Sequence, residues 1–184
     1  MKSLIAFLLI AASAIIANAQ DSRLKLNSLD HLATKASQSV DVNIDGRLLR
    51  LASGVFDDND VDEQKIKKLI VGVKGIYVRN FEFDADGQYT SADVEAVREQ
   101  LRGPGWTRMV DVKSKKDGDL EVYVLMNGDM VAGLAVLSSG VRELTVVNIV
   151  GPVDLDKLAE LEGRLGIPEF GIESKKSKTK NDEQ

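Results

Sequence analysis

The chain of 184 residues has no cysteine, one histidine, three prolines and only 5% aromatic residues. Without cysteine there is no disulfide framework, no thiolate metal site, no thiol nucleophile and no lipidated N-terminal cysteine. The single histidine, His31, removes paired-imidazole metal sites and most histidine-based catalysis. Positive charge is short as well: 24 Lys+Arg stand against 29 Asp+Glu, for a net charge of −5. That balance argues against nucleic acid as a partner, because phosphate binding needs a basic surface. An apolar share of 43% is ample for one core, and the length suits one domain with tails.

The first residues read as an address. Met1-Lys2-Ser3 carries one positive charge, an apolar run from Leu4 to Ile16 follows, and Ala17-Asn18-Ala19 has the small-x-small form of a cleavage site. The run is too short to span about 30 Å of hydrocarbon at 1.5 Å per residue, so it reads as a signal peptide and not an anchor. The expectation is export, cleavage after Ala19, and a periplasmic or extracellular protein without stable membrane insertion. Residues 20–27 then form a leader, 28–170 a single domain, and 171–184 a polar, disordered tail.

Hydrophobic spacing orders the domain. A helix is expected from Ser28, its N-cap, through Ala36, and a period-two strand over Val40 to Gly46. Two helices follow as a hairpin, one with Leu48, Leu51, Ala52 and Val55, the other with Ile66, Leu69, Ile70 and Val73. The acidic run Asp57 to Glu63 between them reads as a solvated loop that starts the second helix. In the strand from Gly75 to Phe83 the apolar parity changes between Val78 and Phe81. A β-bulge near Arg79-Asn80 is expected, with a strand buried on both faces as the alternative. A helix with Val94, Val97 and Leu101 stops at Gly103-Pro104-Gly105.

Four short strands complete the sheet, punctuated by Lys116-Asp117-Gly118, Asn127-Gly128 and Ser138-Ser139-Gly140, with Leu134 and Val136 in a central strand. Leu155, Leu158, Leu161 and Leu165 mark a final helix. The fold class is α+β: an antiparallel sheet ending in a four-strand meander, with helices packed mainly on one face.

The best chemical motif runs from Glu82 to Asp93. With Gly87 at position six of a calcium loop, oxygens fall at Glu82, Asp84, Asp86, Thr90 and Asp93, and the Tyr89 carbonyl is a further donor. Against this, position one is Glu, position twelve is the short Asp93, and a strand enters the loop. A polar strand-to-helix turn, with Thr90 or Ser91 as N-cap, is the preferred reading, and weak Ca²⁺ binding is the alternative. No other cofactor and no catalytic residue is assigned. The sequence contains no Walker loop and no G-x-S-x-G elbow, and its carboxylates are too numerous to single out an acid–base pair.

The strings Gly75-Ile76-Tyr77-Val78-Arg79-Asn80-Phe81-Glu82-Phe83, Gly105-Trp106, Glu143 to Leu155 and Leu161 to Pro168 together resemble the bacterial domain-of-unknown-function family 4252. The resemblance covers about Leu29 to Pro168. It implies an exported bacterial protein with no established catalytic residues to carry over. Some members look like lipoproteins; this chain departs from them in lacking the anchoring cysteine. The resemblance also implies a link to envelope signalling. The expected function is therefore a non-enzymatic binding or envelope-signalling accessory module whose partner is an envelope protein. The competing class is a small secreted hydrolase using buried carboxylates, marked by a concave pocket and an acid of strongly perturbed pKa.

Overall fold

Alternating side chains and glycine turns build six strands: β1 (Gln38–Asp45), β2 (Gly75–Glu82), β3 (Trp106–Val112), β4 (Asp119–Asn127), β5 (Met130–Ser139) and β6 (Glu143–Val150). The computed structural model describes residues 22–54, 56 and 59–154. The expected signal peptide, final helix and polar tail lie outside the described residues. All pairings are antiparallel, in the order β1-β2-β6-β5-β4-β3. The last four strands form the expected meander, and β6 closes the sheet by pairing with β2. Leu134 and Val136, at 2% and 3% exposure, sit in the interior strand β5 as the pattern requires. Gly118 has φ +87°, and a Cβ there would lie 2.5 Å from the Ser139 carbonyl, so the turn into β4 admits only glycine.

Three α-helices join the strands: α1 (Gly46–Ser53), α2 (Val61–Ile70) and α3 (Ser91–Leu101). Asp45 starts α1, its carboxylate accepting from the backbone N–H of Arg47 and of Leu48, both at 2.9 Å. Those hydrogen bonds, Leu48 first, hold its carboxyl below the usual range against the opposing effect of burial. Asp60 does the same for α2, accepting from Glu63 N–H at 3.1 Å, so the acidic run does start a helix.

One face of the sheet packs against α3 and the segment before β1. Phe81, Ala135, Leu137, Leu144 and Val146 meet Val94, Val97 and Leu101 from α3 and Leu29 and Leu32 from a 3₁₀ helix (Asn27–Thr34). The expected α-helix is thus a 3₁₀ helix capped at Leu26, not Ser28; the three-residue spacing of Leu29 and Leu32 aligns both on one side at three residues per turn. The expected leader also belongs to the domain from Ser22 on. Leu24 and Leu26 are 5% exposed, and the fully buried Asn148 holds the segment. Its Oδ1 accepts from Leu24 N–H at 2.9 Å, while its Nδ2 donates to the carbonyls of Ser22 (3.0 Å) and Leu134 (3.2 Å). Every hydrogen-bonding group of this buried amide is used.

The other face gathers Val122, Val124, Leu134, Val136 and Val153, with Val147 and Ile149 beside them. This second apolar face corrects one expectation. The register of β2 runs unbroken against both β1 and β6, so there is no bulge at Arg79-Asn80. The parity change arises because β2 is interior and presents apolar residues to both faces: Phe81 lies opposite Leu144 in the first core, while the half-buried Ile76 and Val78 lie opposite Ile149 and Val147 on the other side. The irregularities occur instead in β3, where Met109 is extra between Arg108 and Val110, and in β5, where Ala132 is extra opposite Leu125 and Met126 of β4.

Candidate functional site

The segment from Glu82 to Asp93 leaves the end of β2 and enters α3. Phe83 and Tyr89 stack with ring centroids 5.7 Å apart, and the Tyr89 hydroxyl donates to the Gly140 carbonyl, fixing the loop to the β5–β6 turn. Burial, then the carboxylates of Asp119 and Glu143, push that hydroxyl's pKa up. The candidate oxygens have separate partners. Glu82 Oε1 accepts from Gln38 at 3.4 Å, Asp84 is exposed, and Asp86 Oδ1 pairs with Arg142 Nε at 2.5 Å. Asp93 Oδ2 accepts from the Thr90 N–H at 2.7 Å and the Thr90 hydroxyl at 2.8 Å, and Oδ1 lies 3.2 Å from His31 Nε2. Burial raises the Asp93 pKa, but the Thr90 hydrogen bonds with the His31 and Lys35 charges outweigh it and hold the carboxyl low. Among the described residues, no group of three or more His, Cys, Asp or Glu side chains is placed to hold a metal ion. Asp93 caps its own helix, as the turn reading requires.

A different cluster holds the fully buried carboxylate of the described residues. Glu121 on β4 is 0% exposed and lies beneath α3. Its Oε1 accepts from Arg98 Nε at 2.8 Å, with Nη2 at 2.5 Å, and its Oε2 accepts from the Tyr123 hydroxyl at 2.6 Å. Lys113 Nζ stands 3.5 Å away and Arg108 Nη1 3.6 Å away, while Lys113 also reaches Asp119 at 3.0 Å. Burial pushes the Glu121 pKa up, but the hydrogen bonds from Arg98 and Tyr123 and the Arg98 and Lys113 charges prevail and lower it. An ionised carboxylate so neutralised is a poor base and has no proton to give near neutral pH. Its work is structural: it ties α3, β3 and β4 together.

Sequence reasoning missed Glu121 because Leu120, Val122 and Val124 marked the opposite face of β4 as the apolar one. Tyr123 and Leu125, on the same side as Glu121, were the available signal: 7% and 4% exposed, they show that this face is covered too.

Two further features could meet a partner. The sheet ends in β1 and β3, and no described strand pairs with the outer side of either. Between α1 and the end of α2 lies a cleft of about 640 Å³, floored by Leu49, Ile70 and Val73 and rimmed by Arg47, Arg50 and Lys74. Among the described residues no helix is long and apolar enough to cross a membrane.

No curated protein and no solved structure matches this chain. The family described as Domain of unknown function (DUF4252) matches residues 34–161, a span that contains all six strands, and the chain belongs to that family.

Proposed function

We propose that this is an exported bacterial binding module of the cell envelope that works without catalysis, by taking an extended segment of an envelope protein onto strand β1. The observation that carries the reading is the state of that edge. β1 runs eight residues in unbroken register with β2, and it contains no proline, no lysine and no bulge. A long, regular, uncharged-by-lysine edge offers its backbone N–H and C=O groups as a template for one more strand. Export rests on the N-terminal pattern ending at Ala19.

The hydrolase reading needs an acid held high, whereas Asp45, Asp93 and Glu121 are all held low. Glu121, the buried acid it would need, is ion-paired and held low, where a general acid needs a raised pKa.

Recovery of partners from an envelope extract tests the proposal, using the wild-type protein and Val40→Lys as baits. Val40 is 37% exposed on β1, so the substitution adds an edge lysine with little disturbance of the core. The expected result is a discrete protein retained by the wild type and lost with the variant at an unchanged melting temperature. Recovery of no partner, together with turnover in a broad substrate screen, would replace this reading with the enzyme.

A further inference from the structure

The helix that follows β1 has its apolar side facing outward. Leu48, Leu51 and Ala52 share one face of α1 at i, i+3 and i+4 spacing, the arrangement that normally seats a helix on a core. Here Leu48 is 49% exposed and Leu51 67% exposed, while Leu49, on another side, is the leucine that is buried. Val71, just past α2, is 72% exposed and lines the cleft beside α1.

Charge marks the same region. The segments Gly46-Arg-Leu-Leu-Arg-Leu-Ala-Ser-Gly-Val-Phe56 and Gln64-Lys-Ile-Lys-Lys-Leu-Ile-Val-Gly-Val-Lys74 contain six cations and no carboxylate, in a chain of net charge −5. The fold brings the start of the first to the end of the second: a Cβ on Gly46 would lie 3.1 Å from the Lys74 carbonyl. Arg47, Arg50 and Lys74 consequently rim one cleft with an apolar floor, and Lys68 is exposed on the last turn of α2. One carboxylate, Asp45, lines the cleft beside these cations. Asp60 sits at the opposite end of α2, and Asp45 is engaged in capping α1.

From exposed leucines set among cations we infer a second activity, independent of the β1 edge: the α1–α2 face docks on the surface of an anionic phospholipid bilayer. Leu48, Leu51 and Val71 enter the headgroup–acyl boundary, and Arg47, Arg50, Lys68 and Lys74 lie against the phosphates. Charge selects this occupant over a second copy of the chain. A two-fold pairing of the face would set Arg47 and Arg50 against their own kind, whereas lipid phosphates complement them.

Vesicle flotation of the full chain tests this, with phosphatidylcholine alone and with phosphatidylcholine–phosphatidylglycerol mixtures. Leu48→Ser/Leu51→Ser and Arg47→Gln/Arg50→Gln variants run in parallel; any contribution of the N-terminal apolar run is common to all three proteins. The expected result is flotation with the anionic mixture only, weakened roughly tenfold by either double substitution and by high salt, at unchanged melting temperature. Absence of wild-type flotation, equal flotation of the variants, or retention on an acidic protein through this face without vesicle binding would overturn the inference. Because the face does not include β1, partner recovery through Val40 fails or succeeds separately.

Discussion

The two edges of the sheet are built differently. β3 is bent by a bulge at Met109, and its flank is tied inward by charge: Arg108 reaches Asp111 at 2.9 Å and Glu121 at 3.6 Å, and Lys113 reaches Asp119 at 3.0 Å. β1 has a regular ladder and the pairing of Arg79 with Asp41. Bulges and edge charges are devices that discourage a further strand; β3 has both, whereas β1 has the charges of Asp41 and Asp45 but no bulge. The difference teaches that β3 is bent and tied into an ion-pair network, while the β1 ladder stays regular, which is the feature the proposed strand addition uses.

The largest effect should come from the ionic end. Glu121→Ala leaves Arg98 without its buried partner and should cost about 3 kcal/mol, the low end for a broken buried pair, because Arg98 keeps part of its surface in water. Thermal or urea melting reads it, and a cost below about 1 kcal/mol would break the contrast. The same group gives a pH signature. Its folded pKa is lowered, so its stabilisation is complete above the unfolded carboxylate value of about 4.3 and is lost as pH falls through the folded value. Wild type should therefore lose stability on acidification more steeply than Glu121→Gln; parallel acid limbs would contradict the assignment. At the open end, Asp41→Asn removes a pair whose carboxylate is 59% exposed and should cost less than about 1 kcal/mol in the same melt. Calcium should do least. With Asp86 on Arg142 and Asp93 on Thr90 and His31, millimolar Ca²⁺ should leave the melting midpoint unchanged, whereas an upward shift abolished by Asp84→Ala/Asp86→Ala would establish the metal reading.

How much was legible follows from the range of the interactions involved. Local signals placed the strands, the Asn127-Gly128 turn, the stop of α3 near Gly103 and the interior position of Leu134 and Val136. The insertion of β6 beside β2 was not legible, because Phe81 and Leu144 meet across a separation in sequence that no local pattern encodes. For the same reason the misread strand β2 looked irregular: its polar Asn80 is satisfied by Glu143 and Thr145 from β6. The docking of Leu24 and Leu26 was hidden too, since it depends on Asn148 far along the chain. At the candidate sites, residue types alone drew attention to the acidic loop. Glu121 escaped notice because a single acid in an alternating strand ordinarily faces water.

The contrast between the edges is tested most directly by photo-crosslinking in intact envelopes, with a photoreactive residue at Ser39 on β1 or at Met109 on β3, both exposed positions. The account predicts a discrete protein adduct from Ser39 and only diffuse background from Met109. A discrete adduct from Met109 with none from Ser39 would contradict it.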